Sequence, residues 1–203
     1  ISSDTVLGIC RFSIYGRPAI PNMPPFFDCE EKYVCVSRGA LYNHAKIRRD
    51  MIRSGHILTG KDLSEVIVHM FGEKIASSNT FEDAGKILYK NLDGVFSAII
   101  VDVYSGDMIL LTKGIVEYIG FINGDVIIAS EYDLLIDRCH RIERLSDGVV
   151  IISDKKMRML IGKNIEAIKP KKGRVVGGYD YYMEREMAEI PAILSFQRVA
   201  QVD

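Results

Sequence analysis

The stretch YVCVSRGALYNH, residues 33–44, decides how the chain is read. Tyr33, Val34, Cys35 and Val36 have the aromatic and β-branched character of a strand. Ser37-Arg38-Gly39 then reads as a turn. Asn43 opens a basic stretch to Ser54 in which Ile47, Met51 and Ile52 share one face, the pattern of an amphipathic helix, and Gly55 supplies its stop. A strand that turns on a glycine into a helix can present backbone N–H groups to an anion. Arg38 and Gly39 are therefore the first candidate site residues.

Upstream, Val6 to Phe12 is apolar and short, the signature of a buried strand, and Gly16 to Pro25, with four prolines, reads as an irregular loop. Downstream, Leu63, Val66, Ile67 and Met70 follow helical spacing up to Gly72. Thr80 caps a third helix, three residues ahead of Asp83, with Ala84, Ile87, Leu88 and Leu92 as its apolar stripe. After Gly94 the period changes to that of strands: Val95 to Asp102, Met108 to Thr112, Tyr118 to Ile122 and Val126 to Ser130. Asn123-Gly124 is a hairpin signal, because both central positions of a type I′ turn need positive φ. A short helix is expected over Glu131 to Asp137. Arg141 to Leu145 and Val149 to Ser153 flank Asp147-Gly148 as a second hairpin, and Met157 to Ile161 adds a strand. Residues 163–178 read as a basic loop, and a last helix runs from Asp180 through Ala188, ending before Pro191. Helices ahead of a meander of antiparallel strands define an α+β fold with helices layered on sheets.

The 203 residues are 48% hydrophobic and 26% charged with a net charge of -1, which excludes a tail-driven nucleic-acid binder and allows one substantial core. The basic run Lys169, Lys171, Lys172, Arg174 lacks the interleaved aromatics of a stacking platform, so no nucleic-acid partner is expected. No apolar run reaches the ~20 residues of a membrane helix, and no signal peptide is seen. Cys10, Cys29, Cys35 and Cys139 form no C-x-x-C pair, which points to reduced thiols and a cytoplasmic setting. His44, His56, His69 and His140 do not fall at metal-ligand spacing with them, so neither a metal nor a cofactor is expected.

Three segments carry a resemblance. Arg11-Phe12-Ser13-Ile14-Tyr15-Gly16, then Pro18 and Asn22, resembles R-W-A-T-H-G-x-P followed by N-A-H-P-H. Cys35 to Asn43 is similar to V-V-H-N-G-I-I-x-N, and Tyr179 to Ile193 resembles H-Y-M-x-K-E-I-x-E-Q-P-x-A-I. Between them Glu65 to Phe71 is similar to E-V-I-A-H-L, and Leu92 to Phe96 to L-x-G-A-Y. These motifs belong to class II glutamine amidotransferases of the N-terminal nucleophile hydrolase family, in particular the glutaminase domain of glucosamine-6-phosphate synthases. The resemblance implies a four-layer αββα sandwich of antiparallel sheets, with residues 1–203 forming one such domain and 163–203 a loop and helix leading out of it.

Departures from the family pattern decide what the resemblance implies about activity. The family nucleophile is an N-terminal cysteine whose α-amino group serves as base. This sequence opens at Ile1, well inside the pattern, and is expected to be processed or part of something longer. Cys10 is no substitute inside its strand, so no catalytic residue is assigned. Arg11 matches the arginine that holds the substrate α-carboxylate, a role suited to a guanidinium fork. Phe12 stands where the family has tryptophan, Gly16 is retained, and Arg38 replaces the asparagine whose amide stabilises the oxyanion ahead of Gly39. The acid that receives the substrate ammonium aligns with Leu63, with Asp62 one position away and rotated by ~100°. The implied protein is a pseudo-glutaminase, a binding or regulatory module whose ligand is glutamine or another amino acid. Its implied partner is a separate phosphosugar isomerase or, through open sheet edges, a second copy of itself. The alternative is an active glutaminase subunit whose cysteine segment lies outside this chain.

Overall fold

The computed structural model describes residues 5–9, 19–78, 80–162, 165–168, 187, 188, 190 and 191. Its first sheet has the order β1-β2-β3-β4-β8-β9 and its second the order β10-β7-β5-β6. The first comprises β1 (Phe26–Phe27), β2 (Tyr33–Leu41), β3 (Gly94–Asp102), β4 (Met108–Lys113), β8 (Gly148–Ser153) and β9 (Lys156–Ile161). The second comprises β5 (Glu117–Ile122), β6 (Asp125–Ala129), β7 (Arg141–Leu145) and β10 (Ile165–Ile168). Every pairing is antiparallel.

Helices α1 (His44–Arg53), α2 (Leu63–Ser77) and α3 (Phe81–Asn91) cover the outer face of the first sheet. Alternation along the strands sorts the apolar residues between two cores. Phe96, Ala98, Ile100, Ile109, Leu111, Val149 and Ile151 meet the helices around Ile67, Phe71 and Leu88. Their neighbours Leu110, Val150 and Ile152 point the other way, onto Ile119 and Leu145 of the second sheet. Strands buried on both faces read as continuous apolar runs, which is why β3, β4 and β8 are so visible in the sequence. The far face of the second sheet is covered, among the described residues, by the segment around the 3₁₀ turn Tyr132–Leu134, whose Tyr132, Leu135 and Cys139 pack on Ile142 of β7. The architecture is the expected α+β sandwich of two antiparallel sheets.

Thr80 caps α3 as expected, its hydroxyl accepting from Asp83 N–H at 3.1 Å. Asn123 and Gly124 take φ of 49° and 86° in the β5–β6 hairpin.

Other expectations are corrected. Residues 6–9 form no strand, and residues 10–12 of that reading lie outside the described residues. Gly72 does not end α2, which continues to Ser77. A Cβ at Gly72 would lie 3.4 Å from the Asp28 carboxylate, so the glycine lets the β1–β2 turn pack closely against a continuing helix. The helix expected over Glu131 to Asp137 is the single 3₁₀ turn. Ile165–Ile168, within the expected basic loop, is β10 and pairs with β7. Pro191 is still helical, so the last helix passes its expected end.

Asp147-Gly148 lies at a corner of the sandwich. Rather than closing a hairpin, it carries the chain from β7 in the second sheet to β8 in the first. The corner is tied by side chains: Asp147 Oδ1 accepts from Gly114 N–H at 2.8 Å, and the buried Thr112 hydroxyl lies within hydrogen-bond reach of the Ser146 carbonyl at 2.9 Å and of the Ile115 carbonyl. Thr112→Val keeps the shape and removes the donor. Its expected cost is about 1–3 kcal/mol, the penalty of a buried unsatisfied group, checked by urea unfolding.

Candidate functional site

The segment read as a turn is part of a strand. β2 runs unbroken from Tyr33 to Leu41, paired with β3 so that Arg38 faces Ser97 and Gly39 faces Phe96. Gly39 has φ of +102°, and a Cβ there would collide with the Val95 carbonyl and lie 2.8 Å from the Phe96 Cα. Only glycine fits. Arg38 is committed across the sandwich: its Nε donates to Glu117 Oε1 at 2.8 Å and its Nη2 to the Val116 carbonyl at 2.8 Å. The Arg38 side chain is 41% exposed and that of Glu117 5%, so the guanidinium caps a buried carboxylate at the start of β5.

Asp62 is the N-cap of α2 and is buried, its Oδ1 accepting from Ser64 N–H at 2.8 Å. Leu63 behind it is buried. Ser64 and Ser37 share a hydroxyl–hydroxyl hydrogen bond of 2.8 Å, tying α2 to β2. Cys35 is fully buried, and burial, followed by the Asp62 charge, pushes its thiol well above the ordinary range. Burial also raises the Cys139 thiol. Neither environment favours a thiolate nucleophile. Arg11, Phe12 and Gly16 lie outside the described residues.

Glu65, one turn into α2, organises the segment before it. Its Oε1 accepts from Thr59 N–H at 2.5 Å, the Thr59 hydroxyl at 2.9 Å and Gly60 N–H at 2.9 Å. Its Oε2 accepts from Gly60 N–H at 3.0 Å and Arg48 Nη1 at 3.3 Å. Arg48 also reaches the Leu58 carbonyl. This carboxylate was visible in the sequence only as the first letter of EVIVHMF, with no role assigned.

A second constellation escaped the spacing argument altogether. Cys29 Sγ lies 3.1 Å from His56 Nδ1 and 3.2 Å from His69 Nδ1, and the three atoms fall within 4.8 Å of one another. His56 Nε2–H donates to Glu73 Oε1 at 3.0 Å. Burial, and then the neighbouring His56, holds His69 below the ordinary imidazole range. The only sequence signal was local, His69 and Glu73 one helical turn apart.

A glycine-bearing strand and a capped helix behind it, set on a two-sheet core, form the frame of the site. The sequence profile described as "Glutamine amidotransferase domain" matches residues 13–137. The chain belongs to that family. Among curated relatives, the "Glutamine--fructose-6-phosphate aminotransferase [isomerizing]" of Pyrococcus horikoshii is 25% identical over 195 residues, 91% of this chain and 33% of that protein. Its counterpart from Thermotoga maritima is 27% identical over 203 residues, 95% of this chain and 33% of that protein. The chain thus spans about a third of the length of these relatives. A glutamine phosphoribosylpyrophosphate amidotransferase from B. subtilis has the same fold, with a TM-score of 0.61 and 20% identity, covering 72% of this chain and 33% of that one.

Glu65→Ala leaves Arg48 and the Thr59 and Gly60 donors without their acceptor. Its expected cost is about 3–5 kcal/mol, measured by chemical denaturation. His44 provides a pH readout, because burial first and Arg48 second lower its pKa from 6.5. The folded state therefore binds fewer protons than the unfolded state below pH 6.5. This contribution to stability is complete above that pH and is lost as pH falls from it through the folded-state value. NMR titration of the His44 ring is expected to give a midpoint below 6.5.

Proposed function

We propose that this chain is a binding or regulatory module built on a glutamine amidotransferase domain, one that does not hydrolyse glutamine. The observation that carries this reading is the Arg38–Glu117 pair at 2.8 Å. At this position the family resemblance calls for an asparagine whose amide meets the oxyanion. Here the side chain turns to the second sheet and gives its donors to Glu117 and the Val116 carbonyl. Losing one oxyanion donor costs roughly 10²- to 10³-fold in rate. Asp62 supports the same reading, since its carboxylate serves as a helix cap in place of an ammonium receptor, and Leu63 offers no charge.

The ligand of this module is an amino acid of the glutamine type, held by its α-carboxylate on Arg11, with Phe12, Gly16 and Gly39 shaping the pocket as the family resemblance implies. Its partner is a phosphosugar isomerase, separate or attached. The length of the relatives named isomerizing, about three times the matched region, supports that assignment. A second reading, an active glutaminase subunit completed by a cysteine segment outside this chain, is favoured by the retained glycine conformation at Gly39.

One pair of measurements separates the two readings. The purified chain is expected to bind glutamine in a calorimetric isotherm that Arg11→Ala abolishes, while releasing no glutamate or ammonia above a buffer blank. Hydrolysis by the chain, alone or with a copurifying segment, would reject the non-catalytic reading.

A further inference from the structure

The Cys29–His56–His69 constellation is drawn from three separately anchored pieces of chain. Cys29 sits in the β1–β2 turn, which is held by Asp28 Oδ1 accepting from Lys32 N–H at 2.8 Å and Tyr33 N–H at 2.9 Å. His56 follows α1 in a Schellman arrangement, with His56 N–H donating to the Met51 carbonyl at 3.0 Å and Gly55 N–H to the Ile52 carbonyl at 3.1 Å. His69 projects from the buried part of α2, and Glu73 follows it by one turn on the same face. None of the three depends on the others for its backbone position.

The three donor atoms lie close enough together to share a single cation. A carboxylate only accepts, so Glu73 fixes the His56 proton on Nε2 and leaves Nδ1 as a lone pair aimed at Cys29. The thiol has a single proton, yet two ring nitrogens lie within 3.2 Å of its sulfur. A divalent cation satisfies all three atoms at once, replacing the thiol proton and accepting both lone pairs. With Zn–S of about 2.3 Å and Zn–N of about 2.0–2.1 Å, tetrahedral geometry separates sulfur from nitrogen by about 3.6 Å, so the cluster needs to open by only a few tenths of an ångström.

We propose that Cys29, His56 and His69 bind a zinc ion, through one thiolate sulfur and two imidazole Nδ1 atoms. A thiolate with two imidazoles selects a borderline-soft ion over magnesium or calcium. Glu73 orients His56 and balances charge, the outer carboxylate typical of such sites. Cys29 is exposed and lines a surface cavity of about 450 Å³ together with Phe26, Ile57, Thr59, Glu65 and His69, which gives the ion an entry path and leaves the fourth position to water. The ion would clamp the β1–β2 turn to the C-terminal end of α1 and to the middle of α2.

The reduced, metal-free full chain is titrated with Zn²⁺ against a chromophoric chelator and with Co²⁺ as spectroscopic reporter. One equivalent is expected, with a thiolate-to-cobalt charge-transfer band and intense tetrahedral ligand-field bands. Cys29→Ser is expected to remove the charge-transfer band and Cys139→Ser to retain it, with circular dichroism reporting the fold of each. Glu73→Gln is expected to keep the band and weaken Zn²⁺ affinity about 10- to 100-fold. Should Cys29→Ser fail to fold, His56→Gln carries the test, with loss of stoichiometric binding expected. Absence of the charge-transfer band in the folded wild type, binding below one equivalent, or unchanged binding in a folded Cys29→Ser or His56→Gln variant would overturn the assignment.

Discussion

The packing of α1 against α2 is referred to one buried carboxylate. Glu65 collects donors from Thr59 and Gly60 and an ion pair from Arg48, so a single side chain sets the loop between α1 and α2 and the distance between the two helices. A charge so thoroughly withdrawn from water is tolerable only because it is met by several short hydrogen bonds. Its geometry propagates in both directions. Toward β2 it fixes the start of α2, where Asp62 caps the helix and Ser64 meets Ser37; toward β1 it fixes the face of α2 that carries His69 and Glu73.

The sandwich beyond it is the frame of the glutamine amidotransferase family to which the chain belongs. Gly39 keeps a backbone conformation that no other residue adopts comfortably, against Phe96 on the neighbouring strand. Next to it Arg38 reaches across to Glu117 and joins the first sheet to the second. An arginine there does the work of a structural tie, because the partner carboxylate is buried and the guanidinium meets it at 2.8 Å. Polar side chains on this strand therefore tie it to the second sheet and to α2, and the thiol on its helix-facing side, Cys35, is buried too deeply to ionise readily.

The β1–β2 turn, the end of α1 and the middle of α2 gather a different chemistry. Cys29, His56 and His69 are contributed by three elements, and the hydrogen bond from His56 to Glu73 gives the group an outer support of its own. Such a cluster lies on the opposite flank of α2 from Ser37 and Ser64, so the helix that backs the amidotransferase strand also carries the thiol–imidazole group.

What the sequence by itself determined was local. Apolar periodicity placed β3, β4, β8, α1 and α3; Thr80 marked a helix start and Asn123-Gly124 a hairpin, because caps and two-residue turns are decided by residues a few positions apart. The motif order also pointed to the family. The tertiary structure alone decided that β2 continues through Gly39, that α2 runs on past Gly72, and that Asp147-Gly148 crosses between sheets, since each outcome depends on which distant strand or turn lies alongside. It alone decided the partners of the site residues. Arg38 and Glu117 are 79 positions apart, and Cys29 is 27 from His56 and 40 from His69. Over such separations residue spacing carries no geometry, and only the packing of helices on sheets brings a guanidinium to its carboxylate or two imidazoles to one sulfur.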